Sequence, residues 1–546
     1  MSQKHKNKPS LNQIAKENFG YEDLRPGQEA AIQAVLNGRD TLAVMPTGSG
    51  KSAIYQIAAF LIPGSTVVVS PLLALQRDQV KAIADQDLGD AAVVNSEIST
   101  TERQETFEQL EEGDLEFLFL APEQFNSAET LDRLQAAKPS LFVIDEAHCI
   151  SSWGHDFRPD YLRLGQVIEA LGHPRILALT ATAAPPVRTE IIERLGMQNA
   201  SVVVQGFDRP NLWLSVDRFE DEAEKQESLV NRVVHAEKPG IIYVATRKRT
   251  EELAQRLEEQ GVRSRCYHAG LKAADRKQTE TAFMEDEVEV LVATTAFGMG
   301  VDKPNVRFVF HSEISDSLDS YYQEIGRAGR DGEPARAALL YNPEDLNLRR
   351  FFSGGGQIDV TDVQQVMAAL ERQKEPIAPK ELQEQTELSK SKLRSALNYL
   401  GEVGAVETLP TGEVVPATIT EEMGDLAAAA VQIQERQQQF ERSRLEMMRG
   451  YAEVRGCRRE FLLNYFGEKF EGPCGYCDNC KAGIATEDSA RQPYPLDSHV
   501  VHKSWGRGAV MRYEGDKIVI LFEQVGYKTI DIQTALLRGL LKREEG

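Results

Sequence analysis

The chain has 546 residues, room for roughly three to five domains at an ordinary ~100–200 residues each. With 41% hydrophobic and 27% charged residues it has a globular composition, and no apolar run approaches the ~20 residues a membrane helix needs. A net charge of −22 and a pI near 5.0 exclude a protein that coats nucleic acid through bulk charge, but not one that grips it in a local groove and lets go at every step.

The start, MSQKHKNKPS, is polar and basic with no apolar segment behind it. It reads as a tail (1–18) without a secretory signal, so the expected compartment is the cytoplasm and no membrane partner is expected. From Phe19 to 206, the apolar runs Thr41–Met45, Ser65–Ser70, Phe117–Ala121, Leu141–Glu146 and Arg175–Thr180 alternate with helical stretches. Strands that are apolar throughout, with helices between, predict a parallel sheet covered on both faces.

The first run leads into MPTGSGKS (Met45–Ser52). Thr47, Gly48, Ser49 and Gly50 form a glycine-rich turn between strand and helix, where backbone N–H groups can hold the phosphates of ATP. Lys51 would reach the β- and γ-phosphates, and Ser52 would ligate Mg²⁺. The general pattern starts with glycine where this chain has Met45. A later strand ends in DEAH (Asp145–His148), at the sheet edge where open α/β folds bind ligands. Asp145 is expected to hold Mg²⁺ through water, and Glu146 to orient the attacking water. Directly behind, in CISSWGHDFRPDY, Trp153, His155 and Phe157 alternate with polar residues and precede Arg158. Aromatic rings stack on any base, so this loop is suited to sense single-stranded DNA beside the ATP-site carboxylates. The bland alternative is a loop anchored in the core by Trp and Phe.

The pattern restarts in a second α/β domain, 207–345, with Ile241–Ala245, Val288–Thr295, Val306–His311 and Arg336–Tyr341. In QEIGRAGRDG, Arg327 and Arg330 are spaced for one helix face. Alone, that spacing is most often a solvated face. Behind a phosphate loop and a DEAH strand, it reads as the pair that stabilises the γ-phosphate in the transition state.

Past Ser353–Gly356 the texture changes. Pro379–Leu388 and Lys390–Gly401 read as helix, turn, helix, and Val406–Ala417 as a hairpin, predicting a winged-helix-like domain over 346–420. A long polar helix, Glu421–Val454, opens a module over 421–486 that holds Cys457, Cys474, Cys477 and Cys480. Without an export signal such a cluster favours metal over disulfides, and four thiolates suit a tetrahedral structural Zn²⁺. Cys149 and Cys266 stand apart. A linker (487–496, with RQPYPL at Arg491–Leu496) leads to strand-rich 497–546, expected to close a small β-barrel. On its own linker the barrel is expected to be separable from the rest, as a docking module for a protein partner, an inert appendage or an auxiliary DNA contact.

These motifs, in this order, resemble the RecQ family of superfamily-2 DNA helicases over Phe19–Cys480. Phe19–Ile32 is similar to the family's adenine-reading segment, which implies that Tyr21 stacks on adenine while Arg25 and Gln28 read its edge. Ser70–Val80 and Ala178–Ala183 resemble its strand-gripping and coupling motifs. Ala293–His311 and Ser320–Gly332 resemble motifs of its second motor domain. The match implies Ser70 and Thr294 as DNA contacts, Gln323 in the ATP site and His268 as a supporting residue. It also implies two tandem RecA-like domains, a zinc module and 3′→5′ movement on single-stranded and forked DNA. The layout departs from the common one, because the winged-helix-like segment precedes the zinc module. The barrel is similar to the Tudor/SH3-like domain of some superfamily-1 repair helicases. An RNA helicase, a translocase that does not unwind and a non-enzymatic binding module remain as alternatives at this point.

Overall fold

The computed structural model describes residues 10–544 except 87, 96–97, 152–156, 299–302, 354–355, 374, 410–412, 418–422, 469, 471, 485–492, 496–497, 515 and 523–524. Contacts divide the chain into two compact units. The first runs to Gly206 and takes in Gln365–Glu387 and Leu400–Thr420; the second holds Phe207–Gln364, Leu388–Tyr399 and the chain from Glu421.

In the first unit the described strands are β1 (Thr41–Val44), β2 (Thr66–Val69), β3 (Ala91–Val94), β4 (Phe117–Leu120), β5 (Leu141–Ile144), β6 (Arg175–Thr180) and β7 (Ser201–Val204). They form one sheet in the order β3-β4-β2-β5-β6-β1-β7, parallel at every pairing. Helices cover it, and residues such as Ile54, Ile57, Val68, Phe117, Val143 and Leu177 fill the core. Because all strands run the same way, the ends of β1, β2, β5 and β6 open onto one sheet edge. That edge receives Met45, Ser70, Asp145 and Ala181.

The second unit repeats the plan with β8 (Leu212–Arg218), β9 (Gly240–Tyr243), β10 (Ser264–Tyr267), β11 (Val290–Ala293), β12 (Phe308–His311) and β13 (Ala335–Tyr341). The order is β10-β11-β9-β12-β13-β8, again parallel throughout, over a core that includes Leu229, Ile242, Val292, Phe310 and Leu340. The strands the apolar runs did not predict include β3, β7, β8 and β10. All four are edge strands and none is covered on both faces along its length, so their sequences mix polar and apolar residues.

Helices Val360–Glu371, Pro379–Thr386 and Lys390–Glu402 precede a hairpin of β14 (Val406–Thr408) and β15 (Val414–Pro416). The segment is shared between the two units. Its hairpin belongs to the first, where Arg163 pairs with Glu407 at 3.1 Å and Arg194 approaches Glu402 at 4.0 Å. None of the described helices is long and apolar enough to cross a membrane.

At the C-terminus β16 (His499–His502), β17 (Gly506–Glu514), β18 (Lys517–Phe522), β19 (Gly526–Asp531) and β20 (Leu541–Arg543) form an antiparallel sheet in the order β19-β18-β17-β16-β20. Among the described residues the outer strands β19 and β20 do not pair, so what is seen is a five-stranded sheet rather than a closed barrel. It has its own core, including Val500, Val510, Ile518, Ile520 and Phe522. It is nevertheless not free-standing, which corrects the expectation of a separable module. Within the second unit the Arg512 guanidinium lies 3.7 Å over the Phe461 ring. The turn into β19 meets helix Met423–Glu453 so closely that a Cβ at Gly526, whose φ is +69°, would collide with Ser443. Of the expected linker, 487–492 and 496 lie outside the described residues.

Candidate active site and zinc centre

The turn after β1 is shaped by Gly48 (φ 79°) and Gly50 (φ 75°), both left-handed, and Gly50 caps the helix Lys51–Leu61. The N-terminus of that helix opens onto the turn, the arrangement that binds anions. The turn is braced from behind by the segment Tyr21–Gln28. The Arg25 guanidinium donates to the Gly48 carbonyl. Gln28, 4% exposed, donates to Ser49 O at 3.0 Å and Gly50 O at 2.9 Å. Arg25 and Gln28 thus lie against the phosphate turn, and burial raises the nearby Tyr21 phenol. Lys51 Nζ rests on the carbonyls of Met45 (3.2 Å) and Pro46 (3.5 Å), and Ser52 is half-buried in the first turn of the same helix.

Asp145 follows β5 with its N–H on Val69 O at 2.8 Å, so backbone pairing with β2 fixes it. Its carboxylate accepts from the Glu146 N–H at 3.0 Å and from Ser70 Oγ at 3.4 Å. Burial, with the Glu146 carboxylate adding to it and Lys51 opposing, pushes Asp145 up to about 6. Glu146 sits at φ +48°, a left-handed conformation that costs a non-glycine residue energy and is typical of functional sites. The structure therefore brings Lys51, Ser70, Asp145 and Glu146 to one edge of one sheet. Ser70 is 2% exposed with its hydroxyl on Asp145, so it faces the carboxylate rather than solvent. His148 is buried, with Nδ1 2.9 Å from Thr180 Oγ1, and the Thr180 hydroxyl donates to Thr182 O at 3.0 Å. DEAH is wired in this way to the motif at Ala178–Ala183.

Trp153 and His155 lie outside the described residues. The two ends of their loop are described. Ser151 donates to Glu190, Phe157 is half-buried, and Arg158 donates to Pro71 O at 3.1 Å. Arg158 thereby reaches the segment that begins at Ser70. Tyr161, which the sequence reading did not single out, donates to Asp145 O at 2.9 Å and ties the far side of the loop to the same carboxylate residue.

In the second unit Gln323 lies on helix Leu318–Ile325, which runs into the turn of Arg327 and Arg330. Arg327 is 4% exposed and lies beside Tyr243, whose phenol donates to Phe297 O at 2.9 Å and is pushed by burial up to about 12. Thr294 follows β11, and its Oγ1 accepts from the Ala296 N–H at 3.4 Å. His268 is buried with Nε2 3.0 Å from Glu251. Two further residues missed in the sequence hold the arginine turn. Arg209 donates to the carbonyls of Gly326 (3.3 Å), Ala328 (2.8 Å) and Gly329 (2.9 Å). Asn211 donates to Gly329 O and Glu333 O, both at 2.8 Å. Their signal was an Arg-Pro-Asn run directly after the first domain, where a plain linker would do.

The Sγ atoms of Cys457, Cys474, Cys477 and Cys480 lie within 4.8 Å of one another. Four converging thiols with no disulfide fit tetrahedral Zn²⁺. The centre is built on the edge strand of the second sheet. Cys477 bridges to Leu214 of β8 in parallel, and Val216 N–H donates to Asp478 at 2.9 Å. Arg458 pairs with Asp478 at 2.6 Å, and Arg459 with Asp208 at 3.0 Å. Cys149 and Cys266 are not in the cluster.

Comparison with known proteins adds to this geometry. Residues 25–190 match the DEAD/DEAH box helicase model, 224–332 the helicase conserved C-terminal domain, and 419–481 the RecQ zinc-binding model. The chain is 35% identical over 501 residues to the probable ATP-dependent DNA helicase RecS of Bacillus subtilis (strain 168), covering 89% of this chain and 96% of that one. It is 35% identical to the ATP-dependent DNA helicase RecQ of the same organism, over 90% of this chain and 70% of that one. The RecQ of Pasteurella multocida (strain Pm70) is 37% identical over 85% of this chain, which spans 61% of that protein. Among solved structures, the DUF1998 helicase MrfA bound to DNA shares the fold, with a TM-score of 0.53 and 18% identity over 77% of this chain and 63% of that one.

Proposed function

The chain belongs to the RecQ family and is an ATP-dependent DNA helicase, and from that premise we propose which residues do the work and on which DNA. ATP binds with its phosphates on the turn Thr47–Ser52 and its adenine against Tyr21, Arg25 and Gln28. Lys51 neutralises the β- and γ-phosphates, and Ser52 and Asp145 hold Mg²⁺. Glu146 orients the attacking water. Gln323, Arg327 and Arg330 complete the ATP chemistry, with the arginines on the γ-phosphate. Zn²⁺, held by Cys457, Cys474, Cys477 and Cys480, is structural.

The single observation that carries this reading is the edge that gathers Lys51, Ser70, Asp145 and Glu146, with Ser70 on Asp145 at 3.4 Å and Arg158 on Pro71 at 3.1 Å. A strand-contacting segment that touches the catalytic carboxylate lets DNA occupancy bias hydrolysis. Trp153, His155, Phe157, Arg158 and Thr294 supply contacts to single-stranded DNA, by base stacking and to the backbone. Movement is 3′→5′, on single-stranded and forked DNA. Unwinding of 3′-tailed, 5′-tailed and forked DNA duplexes, with an RNA duplex beside them, tests this. Activity confined to 3′-tailed and forked DNA is expected; equal activity on 5′-tailed DNA or on RNA would overturn it. The exposed pair Leu536–Leu537 (53% and 86% exposed), at the end of the helix Ile532–Leu537 between β19 and β20, is where a protein partner would dock.

A further inference from the structure

Helix Leu318–Ile325 carries Gln323 and runs directly into the arginine turn, so its placement sets where Arg327 and Arg330 point. Its C-terminal end is gripped by Arg209 through three carbonyls. Its start is held by a different set of residues, from the zinc module and the C-terminal sheet. Asp319, in the first turn and 5% exposed, accepts a hydrogen bond from the Tyr465 hydroxyl at 2.5 Å. Tyr465 ends the helix that Cys457 caps. Its ring lies 5.7 Å from that of Tyr527 on β19, the two tilted 33° to each other. The next residue, Phe466, packs on Tyr322 of the same helix at 4.9 Å and stacks on Phe207 at 4.6 Å. Arg512 over Phe461 fixes the sheet to the helix Arg458–Tyr465 that Tyr465 ends.

A sheet that served only to recruit a partner would have no use for a buried ring contact behind the residue that holds Asp319. We propose that Tyr465, backed by Tyr527, is a positioning residue for the arginine turn, and that the C-terminal sheet thereby belongs to the ATPase. This rests on the reading of Arg330 given above. Removing the Tyr465 hydroxyl leaves a buried carboxylate short of a donor, which the helix start must move to satisfy. A short helix moves as a rod, and a misplacement of about 1 Å at a catalytic group can cost on the order of 10²-fold in rate. An interaction made in the transition state shows in kcat and not in KM.

The test uses the full-length, zinc-loaded protein and measures DNA-stimulated ATP hydrolysis and thermal stability for Arg330→Ala, Tyr465→Phe, Tyr527→Phe, Asp319→Leu and Asp319→Asn. Tyr465→Phe and Asp319→Leu should lower kcat roughly tenfold with KM for ATP within twofold. Tyr527→Phe should act in the same direction but less. Asp319→Asn keeps an oxygen that can accept from Tyr465 and should restore most of the rate. If Arg330→Ala keeps its kcat, the reading of the arginine and this inference fall together. If Arg330→Ala is slow while Tyr465→Phe and Tyr527→Phe both turn over normally, the inference alone is wrong. Losses of kcat that merely follow losses of thermal stability, with Asp319→Asn no better than Asp319→Leu, would reduce Tyr465 to a structural residue and overturn it too.

Discussion

Lys51 leans on two backbone carbonyls, weak partners for a cation that a triphosphate replaces with full negative charge. Lys51→Ala should abolish ATP turnover, because no other residue of Met45–Ser52 is cationic. Glu146→Gln should bind ATP and fail to hydrolyse it. Filter binding and phosphate release separate the two, and near-normal turnover in either variant would refute the site. Asp145 carries a pH signature. Burial lifts it from an ordinary 3.8 to about 6. A raised carboxyl pKa means that protonation stabilises the fold; that contribution is complete below 3.8 and vanishes as pH rises through about 6. At neutral pH the carboxylate is held by Lys51 and by the hydrogen bonds from Glu146 N–H and Ser70, and Mg²⁺ adds to these when bound. Mg²⁺ should therefore raise Tm at pH 7 and lose that effect at pH 5. ATP turnover should also show an acid limb of about tenfold per pH unit below 6. A flat rate between pH 7 and pH 5 would contradict this.

The loop between Ser151 and Arg158 and the zinc turn are the two elements whose roles depend on what they touch. Both described ends of the loop are pinned, to Glu190 and Pro71. Phe157→Ala should leave basal ATPase nearly intact and reduce stimulation by single-stranded DNA. Base–aromatic stacking is worth about 1–3 kcal/mol, enough to shift a loop between two states. Unchanged stimulation would return Phe157 to the role of core anchor. For the zinc turn we expect one Zn²⁺ per chain, lost in Cys477→Ala by metal analysis. The structure adds where the damage spreads. Leu214 bridges to Cys477 and Val216 N–H bonds Asp478, so β8 should lose protection in hydrogen exchange along with the zinc turn. Protection of β8 that survives metal loss would contradict the packing described.

At the scale of the molecule, the C-terminal sheet is where expectation and packing part. Removing residues 498–546 would uncover Phe461, Met447 and Tyr465, all buried against it or beside it. Each large apolar side chain so exposed costs about 1.5–3 kcal/mol, so the truncated protein should melt well below the full chain. Differential scanning calorimetry decides this, and an unchanged melting profile would restore the separable module. The net charge of −22 leaves little non-specific attraction for DNA, which suits a motor whose grip must come from a few placed contacts.

The chemistry of this chain was legible in its sequence because its groups are local. Gly48, Gly50, Lys51 and Ser52 need only a strand before and a helix after them. Asp145 and Glu146 need only a buried strand that ends at the right sheet edge. The cysteine spacing from Cys457 to Cys480 already implied one metal, and the fully apolar runs already implied parallel sheets. Edge strands escaped notice, since β3 and β10, half in solvent, carry no unbroken apolar run. Arg209 and Tyr465 were equally invisible, because their partners lie 117–120 and 146 positions away in the chain. A guanidinium on three carbonyls, or a phenol on a buried carboxylate, leaves no local pattern; only the folded chain brings such pairs together. The same holds for the last sheet. Its strands were plain in the sequence, but whether they stood apart or packed on the zinc helices depended on shape complementarity at Gly526, Arg512 and Tyr527, which the tertiary structure alone decided.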